Sequence, residues 1–496
     1  MSGNLYLRFE ESFARHAGRT AIRSPDGGER LTFGDLAQGV ARYANALAVL
    51  GVEPGDRVTV QVEKSIANVM LYLAVMKAGA VYQPLNTAYT DSEVAYFVED
   101  AEPKLIVCDP ARQSAMRALA DRCKVFAVVN LDAQGQGSLA AIAASMDDRH
   151  ETATREADDL AGLLYTSGTT GRSKGAMITH ANLRSNAETL VDLWRITPGD
   201  ILLHALPIFH VHGLYVALNT AFLSGAEMVW FAKFDAKAMI AAMPSATLMM
   251  GVPTFYTRLM GDEGFTREAA QHMRLFISGS APLLAETHKA FEARTGHAIL
   301  ERYGMTETGM ITSNPYDGER LPGSVGFALP GVSVRIRAEQ PGVIEVKGPN
   351  VFKGYWRMPE KTREDFTPDH WFITGDVGTI DEQGRVAIVG RAKDLIISGG
   401  FNVYPKEIED ALDLIPGVSE SAVIGVPHPD FGEAVVAVLT ARSELPPESE
   451  IIATLAKSLA KFKVPKRVFV LSELPRNAMG KVLKADLRKR YANTFT

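Results

Sequence analysis

Short runs of branched apolar residues recur along the N-terminal part of the chain, and each is followed by a turn signal or a longer helical pattern. These runs lie at residues 57–62, 104–108, 125–129 and 275–278. Runs of this length and composition are typical of buried parallel strands. Between the first two, apolar side chains recur at helical spacing from Ile66 to Met76, and Gly79 closes the segment. The alternation of strands and helices predicts an α/β fold.

The pattern changes twice towards the C-terminal end. From about residue 320 the chain consists of short strands separated by glycines, at residues 325–327, 332–336, 343–347 and 385–389. This pattern predicts a small β-rich subdomain. Beyond residues 390–394 the chain reads as a separate α+β unit, with strands at 421–426 and 434–439. We therefore expect a domain boundary near residues 390–394.

Composition places the chain among ordinary globular proteins and excludes several classes of function. It has 496 residues, 46% of them hydrophobic, and 52 Lys and Arg against 58 Asp and Glu, for a net charge of -6. This length and balance predict a multidomain enzyme and exclude a disordered or fibrous protein. Without a basic excess, neither nucleic acid nor an anionic membrane is an expected partner. The two cysteines, Cys108 and Cys123, cannot form a disulfide framework or a four-cysteine metal site, which favours a reducing compartment.

Neither a targeting segment nor a membrane span is predicted. The N-terminal residues lack an apolar signal core and include Glu10 and Glu11, so we expect an amphipathic helix there. The most apolar long stretch, residues 214–232, contains Asn219, Gly225 and Glu227 and predicts a helix, a turn and a strand. A cytoplasmic location is the resulting expectation.

The strongest chemical signal is the segment Tyr-Thr-Ser-Gly-Thr-Thr-Gly-Arg-Ser-Lys-Gly at residues 165–175, which follows an apolar run. Glycines let the backbone approach a polyphosphate closely, hydroxyls donate hydrogen bonds to it, and Lys174 supplies a positive charge. The lysine precedes the last glycine, so the segment is not a P-loop. An ordinary polar surface loop is the alternative interpretation.

Six segments together resemble the motifs of the adenylate-forming superfamily, which includes acyl-CoA synthetases, luciferases and peptide-synthetase adenylation domains. Besides the loop they are YGMTET at 303–308, TGD at 374–376, GRAKD at 390–394, GGFNVYP at 399–405 and PRNAMGK at 475–481. The resemblance spans nearly the whole chain. It implies a large N-terminal domain over 1–391 made of two α/β sheets and a β-barrel, a hinge at 392–394, and a small α+β C-terminal lid over 395–496.

The resemblance also implies a site for ATP and Mg2+. The implied ATP-binding residues are Thr166, Ser167, Gly168, Thr169, Thr170, Gly171, Lys174, Ser280, Glu301, Arg302, Tyr303, Thr306, Asp376, Arg391 and Lys481. Glu307 and Thr166 are expected to hold Mg2+, an ion that prefers hard oxygen ligands. The implied catalytic residues are Lys481, Thr166 and Glu307, and Lys481 is expected to contact the reacting carboxylate and phosphate.

Each of these roles has a plainer alternative. Lys481 can be a solvated lysine on a glycine turn, Glu307 a surface charge, and Asp376 a turn residue after glycine. Gly399, Gly400 and Phe401 are implied to line a channel for the pantetheine arm of coenzyme A, because glycine leaves room for a narrow chain, and a plain glycine turn is the alternative there.

The acid-binding pocket is expected around His210, Arg258, Ser278, Gly279 and Met305. An arginine turned into the pocket is costly unless a second substrate carboxylate pairs with it, so Arg258 favours a dicarboxylic acid. The pocket segments resemble those of malonyl-CoA synthetases, in which an arginine at this place binds the distal carboxylate. Alternatively, Arg258 pairs at the surface with Asp262 or Glu263, and His210 is only structural.

The expected function is therefore the ATP- and Mg2+-dependent ligation of malonate, and of methylmalonate, to coenzyme A, with release of AMP and pyrophosphate. The alternative within the same class is a coenzyme A ligase for another short-chain or aromatic acid. From a different class, a nucleotide-binding regulator without catalysis is the third hypothesis, against which the presence of both Glu307 and Lys481 argues. Expected partners are these small molecules, with no fused carrier domain, and the oligomeric state stays open.

Overall fold

A computed structural model describes residues 2–166, 173–337, 339–399, 401–477 and 481–495. It consists of a large N-terminal body and a small C-terminal lid. The strands of the body are β1 (Thr20–Arg23), β2 (Arg30–Thr32), β3 (Arg57–Gln61), β4 (Val81–Pro84), β5 (Leu105–Cys108), β6 (Ala127–Asn130), β7 (Leu160–Thr166), β8 (Lys174–Thr179), β9 (Ile201–His204), β10 (Glu227–Trp230), β11 (Leu248–Gly251), β12 (Leu275–Ser278), β13 (Leu300–Met305), β14 (Gly309–Ser313), β15 (Ser324–Ala328), β16 (Ser333–Ile336), β17 (Gly342–Lys347), β18 (Phe372–Ile380) and β19 (Val386–Arg391).

The helices of the body cover the faces of its sheets. They are α1 (Tyr6–Arg15), α2 (Phe33–Val49), α3 (Ile66–Lys77), α4 (Asp91–Ala101), α5 (Gln113–Cys123), α6 (Ser138–Ala144), α7 (His180–Leu193), α8 (Asn219–Ser224), α9 (Ala236–Ala242), α10 (Pro253–Met260), α11 (Arg267–Ala270), α12 (Ala285–Thr295) and α13 (Pro359–Glu364). Short 3-10 turns occur at Pro110–Arg112 and Met243–Ser245, and His212–Leu218 forms a π-helical segment. The predicted helix after β3 is α3, where the Ser65 side chain caps the first turn and Gly79 follows in the left-handed region.

One sheet of the body has the strand order β6-β5-β3-β4-β7-β8 and is parallel except for the β7–β8 hairpin. All residues of β4 and β5 are buried, as expected for a parallel sheet with helices on both faces. The predicted phosphate loop connects β7 to β8, so the apolar run before it is a strand, as the pattern indicated.

The second sheet begins with the order β2-β1-β10-β9-β11-β12-β13, in which the strands from β1 to β13 pair in parallel. From β13 it continues through the antiparallel strands β14, β15, β19, β18, β17 and β16. The β-rich subdomain is thus confirmed and shares its hydrogen bonds with the parallel strands in one path. The pattern missed β18, because Gly375 and Asp376 interrupt its apolar run.

The lid contains β20 (Ile396–Ser398), β21 (Phe401–Val403), β22 (Val418–His428), β23 (Gly432–Ala441) and β24 (Arg467–Leu471), with helices α14 (Pro405–Asp413), α15 (Glu448–Leu455) and α16 (Lys484–Tyr491). Both strands predicted in this region lie within β22 and β23. The lid has its own apolar core, which includes Ile408, Leu412 and Val423. A 3-10 turn, Ala392–Asp394, joins it to the body at the predicted hinge.

The fold bears on the expectations about the two cysteines and about membrane spans. The two cysteines are free thiols. Within the described ranges, no helix has the length and apolar character needed to cross a membrane.

Candidate active site

A cavity of about 330 Å³ lies between the body and the lid. Its body wall includes Ser278 and Tyr303, at the ends of two neighbouring parallel strands, and Asp376 and Arg391 from the antiparallel strands. The lid contributes Lys481 to the same cavity. The carboxyl edge of a parallel sheet is where open α/β folds bind their ligands, so the topology itself selects this place.

Beside the phosphate loop a buried carboxylate, hydroxyls and an amine converge. Thr166 Oγ1 donates a hydrogen bond of 3.3 Å to Glu307 Oε1, and the Tyr355 hydroxyl donates another of 3.1 Å to the same oxygen. Burial raises the pKa of Glu307, while Lys174 and these hydroxyls act in the opposite direction. Lys174 Nζ lies 3.3 Å from Asp365 Oδ2 and 4.0 Å above the Tyr355 ring. The predicted residues Thr166, Lys174 and Glu307 are therefore brought together.

A second cluster surrounds Asp376 on β18. The Tyr303 hydroxyl donates a hydrogen bond of 2.7 Å to Asp376 Oδ2, and Arg391 Nε lies 3.0 Å from Asp376 Oδ1. Asp376 is buried and follows Gly375, whose φ of +72° allows the turn within the strand. The arrangement fixes the carboxylate at the wall of the cavity, where a ribose could reach its remaining lone pairs.

Lys481 reaches the body in this arrangement of the lid. Asn477 receives the backbone N–H of Lys481 on its side-chain oxygen at 3.0 Å and donates its own N–H to the Lys481 carbonyl at 3.0 Å. Burial lowers the pKa of Lys481 to about 8, and the positive charge of Arg391 adds to this effect. Burial also lowers the pKa of His210 to about 4, with a further contribution from the charge of Lys481. The lid lysine and a predicted acid-binding residue are thus neighbours.

The part of the cavity wall that includes Ser278 and Gly279, two residues predicted to bind the acid, is called the acid side. It contains the buried guanidinium of Arg302. A Cβ added to Gly279 would lie 2.3 Å from Arg302 Nη1, so the guanidinium packs directly on that glycine. Burial lowers the pKa of Arg302 to about 9. Its Nε and Nη2 atoms are buried and have no hydrogen-bond partner among the described residues, and the same holds for Ser278 Oγ and His212 Nε2. His212 Nδ1 lies 3.2 Å from Ser280 Oγ. Buried polar groups without a hydrogen-bond partner among the described residues therefore occur together on the acid side.

From the sequence, Arg302 was assigned to the nucleotide and Arg258 to the acid, and both roles stay predictions. Arg302 was expected at the nucleotide, yet its guanidinium lies against Gly279 on the acid side. Arg258, expected in the acid pocket, is exposed on α10 and is not part of the cavity wall, which receives Thr254 and Thr257 from that helix. The segment after β11 is the helix α10, and a helix presents only some of its side chains to the cavity.

The other predicted residues of the body have definite surroundings. Glu301 Oε1 lies 3.1 Å from His288 Nδ1 and accepts a hydrogen bond of 3.3 Å from the backbone of Gly323, so its carboxylate is used within the wall. Met305 and Thr306 are half-buried at the turn after β13. Ser280 adopts a φ of +72°, a left-handed backbone that directs the chain past the cavity.

Gly399 and Phe401, two of the residues predicted for coenzyme A, do not line this cavity. Phe401 is 56% exposed on the lid and stacks on Phe462 with a centroid distance of 4.6 Å, and Gly399 lies close to Phe431. Their role in a channel stays a prediction that requires another arrangement of the lid. Gly400 of that channel, and Ser167, Gly168, Thr169, Thr170 and Gly171 of the phosphate loop, lie outside the described residues.

Sequence reasoning missed three contributors to the site. Tyr355 and Asp365 contact Glu307 and Lys174 from a distant segment, and no local pattern marks either residue. His212 is the third, and burial, with the charge of Arg302, lowers its pKa well below the ordinary value and keeps it neutral. No local pattern marks Arg302 as a neighbour of Gly279, because that contact depends on packing.

The large N-terminal sheets and the smaller C-terminal domain have the architecture of an adenylate-forming enzyme. The sequence matches the AMP-binding enzyme family over residues 9–356 and the AMP-binding enzyme C-terminal domain over residues 407–481. The chain therefore belongs to the AMP-binding enzyme family.

The chain is also similar to individual named proteins. The chain is 33% identical to a malonate–CoA ligase of Arabidopsis thaliana, a match that covers 99% of this chain and 90% of the relative. It is 35% identical to a sulfoacetate–CoA ligase of Cupriavidus necator, over 94% of each chain. The crystal structure of ATP-bound MatB from Rhodopseudomonas palustris is 53% identical and superimposes with a TM-score of 0.97 over 100% of both chains.

Proposed function

We propose that this enzyme joins malonate to coenzyme A in an ATP-dependent reaction that passes through an acyl-adenylate and releases AMP and pyrophosphate. The observation that carries the proposal is the buried Arg302 guanidinium, which has unused N–H groups at the acid side of the cavity. The likeness to a malonate–CoA ligase supports the same substrate, and the likeness to ATP-bound MatB supports the use of ATP. Methylmalonate differs from malonate by one methyl group, and we expect it to be accepted as well.

The energetic argument concerns the distal carboxylate of the acid. An uncompensated buried charge costs about 3 to 5 kcal/mol, so the unliganded protein holds Arg302 at a disadvantage. A second carboxylate removes this cost by accepting charge-assisted hydrogen bonds from the guanidinium. An acid without a second anionic group leaves the cost in place, and the site therefore discriminates against acetate and fatty acids.

The first half-reaction joins two anions, and the residues around the cavity lower that barrier. One carboxylate oxygen of the acid bonds to the α-phosphorus of ATP, while the bond from this phosphorus to the bridging oxygen breaks and pyrophosphate leaves. Lys481 neutralises charge at the reacting carboxylate and phosphate, and Lys174 does so at the leaving pyrophosphate. Asp376 holds the ribose, and Tyr303 and Arg391 keep its carboxylate in place.

Glu307 and Thr166 fit a Mg2+ ion that accompanies ATP. Their oxygens are hard ligands, the carboxylate is buried, and Thr166 Oγ1 lies 3.3 Å from it. No group of three or more His, Cys, Asp or Glu side chains suited to a metal occurs in the part of the chain that is described. This sparse set suits Mg2+, which keeps water and phosphate ligands. When bound, the ion would neutralise phosphate charge.

In the second half-reaction the thiol sulfur of coenzyme A bonds to the acyl carbon, AMP leaves, and the thiol loses its proton. Gly399, Gly400 and Phe401 are proposed to line the path of the thiol after the lid has rotated about residues 392–394. The exposure of Phe401 in the present arrangement agrees with a face that becomes covered later.

A pyrophosphate-release assay across acids tests the proposal. Malonate and methylmalonate should give the highest kcat/KM, and sulfoacetate, acetate, benzoate and a long-chain fatty acid serve as competitors. Equal or better turnover with acetate, benzoate or the fatty acid would refute malonate as the substrate. Reactions that lack acid give the background, and an absence of acid-dependent exchange between ATP and pyrophosphate would refute the enzyme itself.

A further inference from the structure

Lys64 lies in neither the nucleotide site nor the acid site, yet its amine joins the two sheets beneath the acid pocket. It follows β3 of the first sheet, and its Nζ donates two hydrogen bonds to carbonyls of the second sheet's edge. One, of 2.9 Å, goes to His204 at the end of β9, and the other, of 2.7 Å, goes to Phe231 directly after β10. Its third close neighbour is His204 Nδ1, at 3.0 Å. Nζ also lies 4.1 Å from the centre of the Trp230 ring. An ammonium group has three N–H donors, and each of them has an acceptor here.

These contacts fix the proton arrangement of His204. Burial lowers the pKa of His204 well below its ordinary value, and the charge of Lys64 lowers it further, so the ring is neutral. Burial also lowers the pKa of Lys64, whereas the three acceptors and the Trp230 ring favour its charged form. Since Nδ1 accepts from Lys64, the proton of the neutral ring is on Nε2. That Nε2 lies 3.0 Å from the Gly213 carbonyl and donates to it.

Gly213 is the point where this arrangement reaches the acid pocket. A Cβ on Gly213 would lie 2.2 Å from the Pro207 carbonyl, so the segment from 206 to 213 is folded tightly on itself. The next residue towards the N-terminus is His212, which lies 3.2 Å from Ser280 and whose pKa is lowered by the charge of Arg302. A displacement of the Gly213 carbonyl therefore moves His212 relative to Arg302.

We propose that Lys64 is a positioning residue for the acid pocket, acting through His204 on the Gly213 carbonyl. The inference rests on the proposed function only in naming the acid as malonate. Lys64 itself touches no substrate; it sets the place of the wall that the acid meets. Small displacements of a positioned group lower binding and rate strongly, which makes the effect measurable.

The test compares Lys64→Met with a matched control, Lys77→Met. Lys77 stands at the other end of α3, where its Nζ bonds Glu10 at 2.6 Å and Thr152 at 2.9 Å and lies 4.7 Å from the Tyr6 ring, away from the cavity. Lys64→Met should raise the KM of the acid roughly tenfold and leave the KM of ATP unchanged. Lys77→Met should lower Tm and leave both KM values unchanged. Equal changes in the two KM values of Lys64→Met, or an acid KM that stays at the wild-type value, would overturn the proposal.

The chain of contacts from Lys64 through His204 to the Gly213 carbonyl is called the relay. A second pair of variants tests the relay even if Lys64→Met fails to fold. His204→Gln keeps an acceptor for Lys64 and a donor for Gly213, and His204→Leu keeps neither. The Gln variant should retain an acid KM close to wild type, and the Leu variant should show the tenfold rise. A Lys64→Met/His204→Leu double variant should be no worse than His204→Leu alone, because one chain of contacts is removed in both. Additive effects in the double variant would contradict a relay.

These outcomes are distinguishable from a failure of the proposed function. The wild-type enzyme first identifies the preferred acid, and the variants are then measured with that acid. A preference for an acid other than malonate refutes the substrate and leaves the relay open to the same test. A preference for malonate without the acid-specific effect in Lys64→Met and His204→Leu refutes the relay alone.

Discussion

Replacement of Arg302 by methionine should separate the binding of the acid from the stability of the protein. The guanidinium is buried against Gly279, and its Nε and Nη2 atoms have no partner among the described residues. Methionine removes the charge and the donors and retains most of the apolar volume. Because the charge is unpaired in the unliganded protein, its loss should leave the stability unchanged or raise it by about 1 to 4 kcal/mol.

The effect on malonate is expected to have the opposite sign. Hydrogen bonds to a charged group contribute about 1.5 to 3 kcal/mol each, and two such bonds to one carboxylate are not fully additive. A loss of about 3 kcal/mol corresponds to roughly 150-fold in kcat/KM. Acetate has no second carboxylate, so its kcat/KM should stay near the wild-type value.

Two measurements decide this prediction. Pyrophosphate release with malonate and with acetate gives the ratio of their kcat/KM values, and thermal unfolding without ligands gives Tm. Arg258→Met is the matched control, since Arg258 is an exposed arginine outside the cavity wall and should leave the ratio intact. An equal loss with both acids, or a lowered Tm together with an intact preference for malonate, would show that Arg302 is structural. Loss of the preference in Arg258→Met would return the role to that residue.

Three further predictions concern the nucleotide side of the cavity. The pKa of Lys481 is lowered to about 8, so the lysine is charged below that pH and neutral above it. The kcat/KM for adenylation should therefore fall as pH rises through about 8. Lys481→Arg should move this fall in kcat/KM to higher pH. Glu307→Gln should raise the Mg2+ concentration for half-maximal activity by at least about tenfold, measured by titration at saturating ATP, whereas an unchanged Mg2+ requirement would remove Glu307 from the metal site. The Tyr96 hydroxyl donates a hydrogen bond of 2.7 Å to the Ser173 carbonyl at the end of the phosphate loop. Tyr96→Phe should therefore raise the KM of ATP about 2- to 12-fold without changing the KM of malonate. Equal effects on the two KM values would contradict a local role of Tyr96.

Local patterns predicted several strands of each sheet and the helix α3, and one missed strand has a local cause. Apolar runs marked β3, β5 and β12, because a buried parallel strand needs apolar residues on both faces. The strand β18 was missed, because the glycine and the aspartate that serve the site break its pattern. The helix α10 follows β11, and no prediction covered it; Arg258 is exposed on this helix.

What the sequence determined by itself is the class of chemistry. Residue type and order in the hydroxyl- and glycine-rich loop indicated a polyphosphate site, and the resemblance of the six ordered motifs to the adenylate-forming superfamily implied adenylation. Their order along the chain does not depend on where side chains point. The amino-acid order alone is therefore enough to indicate the reaction class.

Only the tertiary structure favours Arg302 as the arginine that we propose for the acid, and only the tertiary structure connects Lys64 to the pocket wall. Arg302 became the candidate only when packing brought it against Gly279, and Lys64 became relevant only when its amine reached His204 across the gap between two sheets. Both relations join residues far apart in sequence through burial, and burial decides whether a charge is costly or harmless. The sequence shows that a charged residue is present, whereas only the packed chain shows whether that charge has a partner.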